Sequence, residues 1–120
     1  FLAEQFTSST YALIDIYDQC PDIFYNGTYR SAHGLYLSDS EVIASTILSD
    51  SNKTFVIQLY NYQDKDIDLQ VLVDFARIGI NGKIKSITDL FTGKSVSVEN
   101  NLVKVHLDAY NFTSLYVEYE

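Results

Sequence analysis

The stretch over residues 66–75 alternates between two kinds of side chain. One set is apolar and the other is polar, mostly acidic: Ile67, Leu69, Val71, Val73 and Phe75 against Asp66, Asp68, Gln70 and Asp74. A period of two is typical of a β-strand that has one face on a core and the other in water. Residues 102–107 and 112–119 repeat the pattern. These segments predict half-buried β-sheets, and they constrain the fold more than any other feature.

Turn-forming residues divide the chain from residue 41 onwards into short runs with strand character. The turns lie at residues 50–52, 63–65, 81–82, 92–93 and 99–101, and their residue types are those that favour turns. Seven strands are predicted between them, over residues 41–49, 53–62, 66–75, 83–91, 94–98, 102–107 and 112–119. Seven strands suffice for two packed sheets. We therefore predict an all-β fold, an antiparallel β-sandwich.

The predicted strand over residues 53–62 differs from the others because both of its faces are apolar. The two sets are Phe55, Ile57 and Leu59 on one face, and Val56, Tyr60 and Tyr62 on the other. Since successive side chains of a strand point to opposite faces, neither face of this strand is suited to water. It is predicted to be central in its sheet or to have its second face covered by another element.

The first 40 residues lack this strand pattern. Leu13, Ile16, Tyr17 and Cys20 follow the i, i+3, i+4, i+7 spacing of one helical face. We predict a helix within residues 2–20 that ends before Pro21, because proline cannot continue a helix and disfavours helical geometry in the residue before it. Residues 21–40 are predicted to be a connector with one short strand, residues 35–37.

The predicted domain organisation follows from this division. Residues 1–40 form an N-terminal helix and connector, and residues 41–120 form the sandwich. The apolar stripe of the helix must be buried, either on its own sandwich or on a preceding domain that the sequence does not include. The chain begins at Phe1 and contains no methionine, which favours a piece of a longer polypeptide.

The charge of the chain excludes two classes of partner. The net charge is −8, and the 8 basic residues are scattered. Nucleic-acid binding depends on clustered Lys and Arg, so no nucleic-acid partner is predicted. No apolar run approaches the roughly 18 residues that span a bilayer, so no membrane insertion is predicted. The single cysteine, Cys20, excludes an internal disulfide. It leaves the compartment open, with a secreted or cell-surface location slightly favoured.

The motif Asp-Leu-Phe-Thr-Gly-Lys at residues 89–94 is followed by a short strand, a turn and two more strands. This order resembles the end of the accessory β domain that follows the catalytic barrel in glycoside hydrolases, namely the amylase-like enzymes and those of families 42 and 36. Residues 42–49 and 53–62, with the Ser51-Asn52 turn between them, resemble the opening of the same domains. The resemblance covers about residues 41–120.

The resemblance implies a function for the whole chain. It implies a non-catalytic C-terminal accessory domain that packs on the catalytic domain of the same polypeptide and stabilises it. Such domains do not carry the catalytic carboxylates, so the resemblance implies no catalytic residue here. The alternative is a stand-alone carbohydrate- or protein-binding β-sandwich module of a secreted or surface protein.

No set of residues with ligand spacing predicts a metal or a cofactor. Asp64, Asp66 and Asp68 match the first three ligand positions of an EF-hand loop, but Leu69 stands where the loop needs glycine and Phe75 where it needs glutamate. We interpret the three acids as a solvated turn and strand face, with a loose calcium site at the sandwich edge as the alternative. His33 and His106 are far apart in the sequence.

No arrangement of nucleophile and base predicts catalysis, and whether the chain is itself an enzyme is left open. Cys20 lies on the apolar stripe of the predicted helix, which favours a buried structural thiol. His106 is interpreted as a surface residue beside Lys104. Glycosylation motifs occur at Asn26, Asn52 and Asn111, and chance occurrence is the favoured explanation for them.

Ten tyrosines and seven phenylalanines make the chain rich in aromatic residues. Tyrosine rings stack on sugar faces, and their hydroxyls hydrogen bond to sugar hydroxyls. Tyr60, Tyr62 and Tyr116 are the candidate glycan contacts, with polysaccharide or oligosaccharide as the partner. Because the chain has no tryptophan, cross-strand pairs and interface contacts are the favoured role of these rings.

Overall fold

Two antiparallel β-sheets pack face to face in the computed structural model, which describes residues 19–25, 27–30, 34–49 and 53–120. The described elements are, in chain order, α1 Pro21–Phe24, β1 Thr28–Arg30, β2 Leu35–Leu37, β3 Val42–Leu48, β4 Thr54–Asn61, β5 Ile67–Val73, α2 Phe75–Ile78, β6 Ile84–Asp89, β7 Ser97–Glu99, β8 Leu102–Leu107 and β9 Phe112–Tyr119. Neither helix has the length or apolar character to cross a membrane.

The five-stranded sheet has the order β1-β3-β4-β9-β6, and the four-stranded sheet has the order β2-β5-β8-β7. All neighbouring strands are antiparallel. The predicted all-β sandwich is therefore confirmed. The described residues contain nine strands. Seven correspond to the strands predicted from residue 41 onwards, β2 is the short strand predicted within the connector, and β1 was not predicted.

The core lies between the two sheets and is formed by alternate residues of their strands. In the four-stranded sheet, Leu69 and Val71 of β5 and Val103 of β8 are fully buried or nearly so. Ile57 of β4 and Leu115 of β9 face them from the five-stranded sheet. The period of two seen in the sequence therefore corresponds to an inner and an outer face of each sheet.

Strand β4 is both central and covered, as its two apolar faces predict. It pairs with β3 on one side and β9 on the other. Its outward residue Val56 is fully buried beneath Ile23 and Phe24 of α1. A short helical segment thus covers one end of the outer face of the five-stranded sheet.

Residues on either side of α1 suit the path of the chain across this face. Cys20 has φ −132° and ψ 61°, outside the helical region, as expected for the residue before a proline. Pro21 then begins α1, a position that suits proline because the first helical N–H needs no partner. At Gly27 a Cβ would collide with the carbonyl oxygens of Ile23 and Leu48. The remainder of the predicted helix, residues 2–18, lies outside the described residues.

Two predicted strand boundaries are wrong. The strand predicted to end at Phe75 ends at Val73, because Asp74 caps a helical turn by accepting a hydrogen bond from the Arg77 N–H. The strand predicted over residues 94–98 lies at Ser97–Glu99 instead. Ser95 still bridges to Thr88 of β6, whereas Ser97 already pairs with Lys104 of β8. The chain changes sheets between them.

Two of the predicted turns are formed by specific backbone chemistry. In the motif at residues 89–94, the Asp89 carboxylate accepts hydrogen bonds from the N–H groups of Phe91 and Thr92, and Gly93 has φ 74°. In the turn between β7 and β8, Asn100 and Asn101 have φ 51° and 64°. Two successive left-handed residues match the tight hairpin turn that follows the twist of the strands.

Asn61, at the end of β4, is fully buried and links two loops. Its side-chain amide donates to the carbonyl oxygens of Lys65 and Asp108, at 2.9 and 3.0 Å. Its side-chain oxygen accepts from the Gln63 N–H at 3.1 Å. All of these bonds stabilise the loops that follow β4 and β8.

Candidate functional site

The outer faces of the two sheets differ in charge. On β3, β4 and β9 of the five-stranded sheet, Glu118 is the one outward residue with a charge. The outer face of the four-stranded sheet carries Asp68, Lys104, His106 and Glu99. Surfaces that contact partners are depleted in charged residues at their centre and enriched in aromatic ones, which directs attention to the five-stranded sheet.

One half of this face, which we call the covered half, lies beneath the segment around α1. Ile47 and Val56 are fully buried there against Ile23 and Phe24. Cys20 packs against the same cluster and is half-buried, and burial raises the pKa of its thiol. This agrees with the interpretation of Cys20 as a structural thiol, since a nucleophilic thiol needs a lowered pKa.

Four aromatic rings form a row on the other half, which we call the open half, and the last ring, Phe91, also packs against the cluster of the covered half. Tyr62 and Tyr60 are nearly parallel, with centroids 6.2 Å apart and 13° between planes. Tyr60 and Phe112 follow at 6.4 Å and 29°, and Phe112 meets Phe91 edge to face at 5.2 Å. Tyr60 is 38% exposed and Tyr62 45%. We call these four residues the aromatic row.

Beside the aromatic row lies a line of three polar side chains, one on each of β3, β4 and β9. Ser45 pairs with Gln58, and Gln58 pairs with Ser114. The Ser45 hydroxyl lies 3.4 Å from the Gln58 side-chain oxygen, to which it donates. The Ser114 hydroxyl is buried without a hydrogen-bond partner in the part of the chain that the structure describes. We call these three residues the polar rung.

The polar rung and part of the aromatic row line a groove of about 360 Å³. Tyr60 and Phe112 form one side of it, together with Ile43, which is 60% exposed. Among the described residues, those that line the groove carry no charge. This arrangement offers an uncharged ligand a flat aromatic face next to hydrogen-bonding groups.

The structure brings together two of the three tyrosines that the sequence singled out. Tyr60 and Tyr62 are neighbours in the aromatic row, whereas Tyr116 pairs with Val56 in the covered half. Burial raises the pKa of the Tyr116 hydroxyl. Phe112 was missed, although the period of two along β9 places it on the same face as Ser114 and Tyr116. The glycan-binding role of the tyrosines stays a prediction.

A second cluster lies on the outer face of the four-stranded sheet. The His106 Nδ1 is 2.8 Å from an oxygen of Asp68, and its Nε2 is 3.2 Å from an oxygen of Asp108 and 3.8 Å from one of Asp66. The hydrogen bond with Asp68 is the main cause that raises the pKa of His106. His106 is exposed, as interpreted from the sequence, but its carboxylate partners were not foreseen.

The three acids at the first EF-hand ligand positions, Asp64, Asp66 and Asp68, differ in their contacts. The Asp66 carboxylate accepts a hydrogen bond from the Ala109 N–H at 2.9 Å, and Asp68 bonds to His106. Asp64 is exposed. Asp66, His106 and Asp108 each bring one potential ligand atom within 4.8 Å of the others. The carboxylates of Asp66 and Asp108 are exposed, and they accept or share hydrogen bonds with the Ala109 N–H and with His106, respectively.

Three of the residues singled out in the sequence lie outside the described residues, namely His33, Asn26 and Asn52. The third glycosylation motif begins at Asn111, which is exposed at the start of β9. The Asn111 side-chain oxygen accepts a hydrogen bond from the Phe112 N–H.

Comparisons with known proteins show that the fold of this chain also occurs as a part of larger proteins. No protein-family model matches the sequence, and no curated protein matches it. Among solved structures, an Anoxybacillus alpha-amylase matches 91% of this chain with 21% of its own, at a TM-score of 0.60 and 11% identity. A maltogenic alpha-amylase from Thermotoga neapolitana matches 79% of this chain with 21% of its own, at a TM-score of 0.53 and 17% identity.

A third enzyme, the family 27 β-L-arabinopyranosidase of Geobacillus stearothermophilus, matches 77% of this chain with 20% of its own, at a TM-score of 0.57 and 11% identity. The fold is shared with a part of each hydrolase. At these identities the likeness shows the fold alone. The chain spans about one fifth of the length of the hydrolases it matches.

Proposed function

We propose that this chain is a non-catalytic accessory domain of a carbohydrate-active glycoside hydrolase, C-terminal to the catalytic domain, on which it packs and which it stabilises. One observation carries the proposal. Over 77% or more of its length, the chain has the fold of about one fifth of several glycoside hydrolases. Four fifths of each enzyme have no counterpart here, which leaves room for a catalytic part elsewhere on a longer polypeptide.

The path of the chain supports this proposal. The polypeptide that precedes Cys20 reaches the described structure at the covered half of the five-stranded sheet, where α1 packs on Ile47 and Val56. A preceding domain would therefore be delivered to the covered half of this face, where β3, β4 and β9 carry a single outward charge. Interfaces between domains of one chain use such surfaces.

The first test is the mass of the native polypeptide, detected in its source organism with an antibody raised against residues 1–120. We expect a band about five times heavier than 13.6 kDa, from the share of the hydrolases that the chain covers. A band near 13.6 kDa would contradict the accessory role and favour the alternative, a stand-alone binding module.

A second test concerns the boundary with the preceding domain. Removal of residues 1–20 leaves Ile23 and Phe24 on the sheet, so the sandwich should keep a single cooperative thermal transition, measured by circular dichroism. In the full polypeptide, removal of residues 41–120 should lower the melting temperature of the catalytic domain while its activity at low temperature persists. Loss of the cooperative transition on the first deletion would count against a boundary here.

A further inference from the structure

We propose that the open half of the five-stranded sheet is a binding site for an uncharged carbohydrate. In this site one pyranose ring stacks on Tyr60, and its hydroxyls hydrogen bond to the polar rung of Ser45, Gln58 and Ser114. The proposal goes beyond an accessory role, because packing on a catalytic domain requires no sugar contact.

The first argument is the juxtaposition of a flat aromatic side with a polar side. A pyranose ring has apolar C–H faces and a rim of hydroxyl groups, so it needs both kinds of contact at once. Tyr60 supplies an aromatic face beside Phe112, and the next rung of the same three strands is entirely polar. Neighbouring strands lie about 4.8 Å apart, so the polar rung spans roughly 10 Å across three strands.

The second argument is the unsatisfied hydroxyl of Ser114. Buried polar groups are hydrogen bonded in the great majority of cases, and one left without a partner costs about 1–3 kcal/mol. Ser114 lines the groove, and its buried hydroxyl has no such partner among the described residues. A rotation of the Ser114 side chain towards the groove would bring this hydroxyl to a ligand hydroxyl, which would supply the missing bond. Gln58 lies next to Ser114 and would share the ligand hydroxyl.

The third argument excludes other classes of ligand. None of the described residues that line the groove is charged, which disfavours phosphate, nucleic acid and acidic peptides. β3, β4 and β9 each have a neighbour on both sides in the described sheet. They offer no free backbone edge for the addition of a peptide strand. The polar rung disfavours a purely apolar ligand, because the half-buried side chains of Ser45 and Gln58 would lose their bonds to water.

The test is a titration of the 120-residue chain, labelled with nitrogen-15, followed by two-dimensional NMR. The probes are maltoheptaose as an α-linked glucan, cellohexaose as a β-linked glucan, and galactobiose. We expect at least one sugar to produce saturable shifts at the amides of Ser45, Gln58 and Ser114, with Gln70 on the opposite sheet unaffected. Absence of saturable shifts with all three sugars at millimolar concentration would overturn the proposal.

Variants locate the site. Tyr60→Ala should weaken binding about tenfold or more, since stacking on an aromatic ring contributes on the order of 1–3 kcal/mol, and Tyr60→Phe should stay within about twofold. Gln58→Ala should also weaken binding, and this variant tests the site if Tyr60→Ala does not fold. Tyr36→Ala is the matched control, because Tyr36 is 47% exposed on the other sheet. Equal binding by the Tyr60→Ala, Gln58→Ala and Tyr36→Ala variants would overturn the proposal.

The outcome is distinct from that of the accessory role. A chain that belongs to a heavy native polypeptide but binds none of the three sugars would keep the proposed function and lose this site. A native polypeptide of 13.6 kDa that binds a sugar through Tyr60 would contradict the accessory role and support this site.

Discussion

His106 sits among the carboxylates of Asp66, Asp68 and Asp108. Its hydrogen bond with Asp68 and, to a smaller extent, its contact with Asp108 raise its pKa in the folded chain. A group whose pKa is raised on folding adds stability below its unfolded pKa, about 6.5 for histidine. That contribution declines as the pH rises through the folded pKa. We therefore expect the urea midpoint of the wild type to exceed that of His106→Asn at pH 5, with the difference shrinking towards pH 9.

The control for this pH dependence is Asp68→Asn, which removes the closest carboxylate. In that variant the pKa of His106, followed by the NMR shifts of its ring protons, should move back towards its ordinary value. A difference in urea midpoint that is constant from pH 5 to pH 9 would contradict the prediction.

Single residues were the hardest features to predict from the sequence. Tyr60 and Tyr62 share a strand face by the period of two, so their proximity was predictable. Phe112 joins them only because β9 pairs with β4, and no local pattern reveals which strands pair. The same pairing places Tyr116, four residues after Phe112 on β9, beside Val56 in the covered half. The carboxylates around His106 come together through the pairing of β5 with β8.

The hairpin of β7 and β8 depends on two left-handed asparagines, and this gives a prediction at the scale of the element. Asn100→Val should lower the free energy of unfolding by about 1–2 kcal/mol, because asparagine tolerates the left-handed region whereas a β-branched residue is strained there. Asn100→Gly should be neutral or slightly stabilising. Chemical denaturation of the two variants checks this, and equal stability of both would show that the turn conformation is not under strain.

The strand elements were predictable where one sheet accounts for a whole segment. The bounds of β8 and β9 agree with the prediction to the residue, because each has a clean period of two between strong turns. β7 was misplaced because residues 95–99 serve first one sheet and then the other. β1 and α1 were missed because elements of three or four residues are too short to show a period in the sequence. They are stabilised by contacts with distant residues, such as those of Phe24 with Ile47 and Val56.

The position of the core between the sheets gives a prediction for the whole molecule. Ile57→Ala should lower the free energy of unfolding by about 2–5 kcal/mol, since it leaves a cavity among fully buried neighbours. Ile43→Ala lies on the outer face of the adjacent strand and should change it by less than about 0.5 kcal/mol. Urea denaturation measures both. A loss at Ile43 as large as that at Ile57 would mean that the open half is covered in solution.

The order of the strands along the chain has a consequence for biosynthesis. β9 is the last described strand and lies inside its sheet, between β4 and β6, so that Thr54 pairs with Glu118 across most of the domain. Until residues 112–119 have left the ribosome, β4 and β6 each present a bare edge to the cytosol or to a translocation partner. Such edges pair readily with other chains. We infer that this domain completes its fold only after β9 has been synthesised, and that stalled synthesis short of β9 yields an aggregation-prone product.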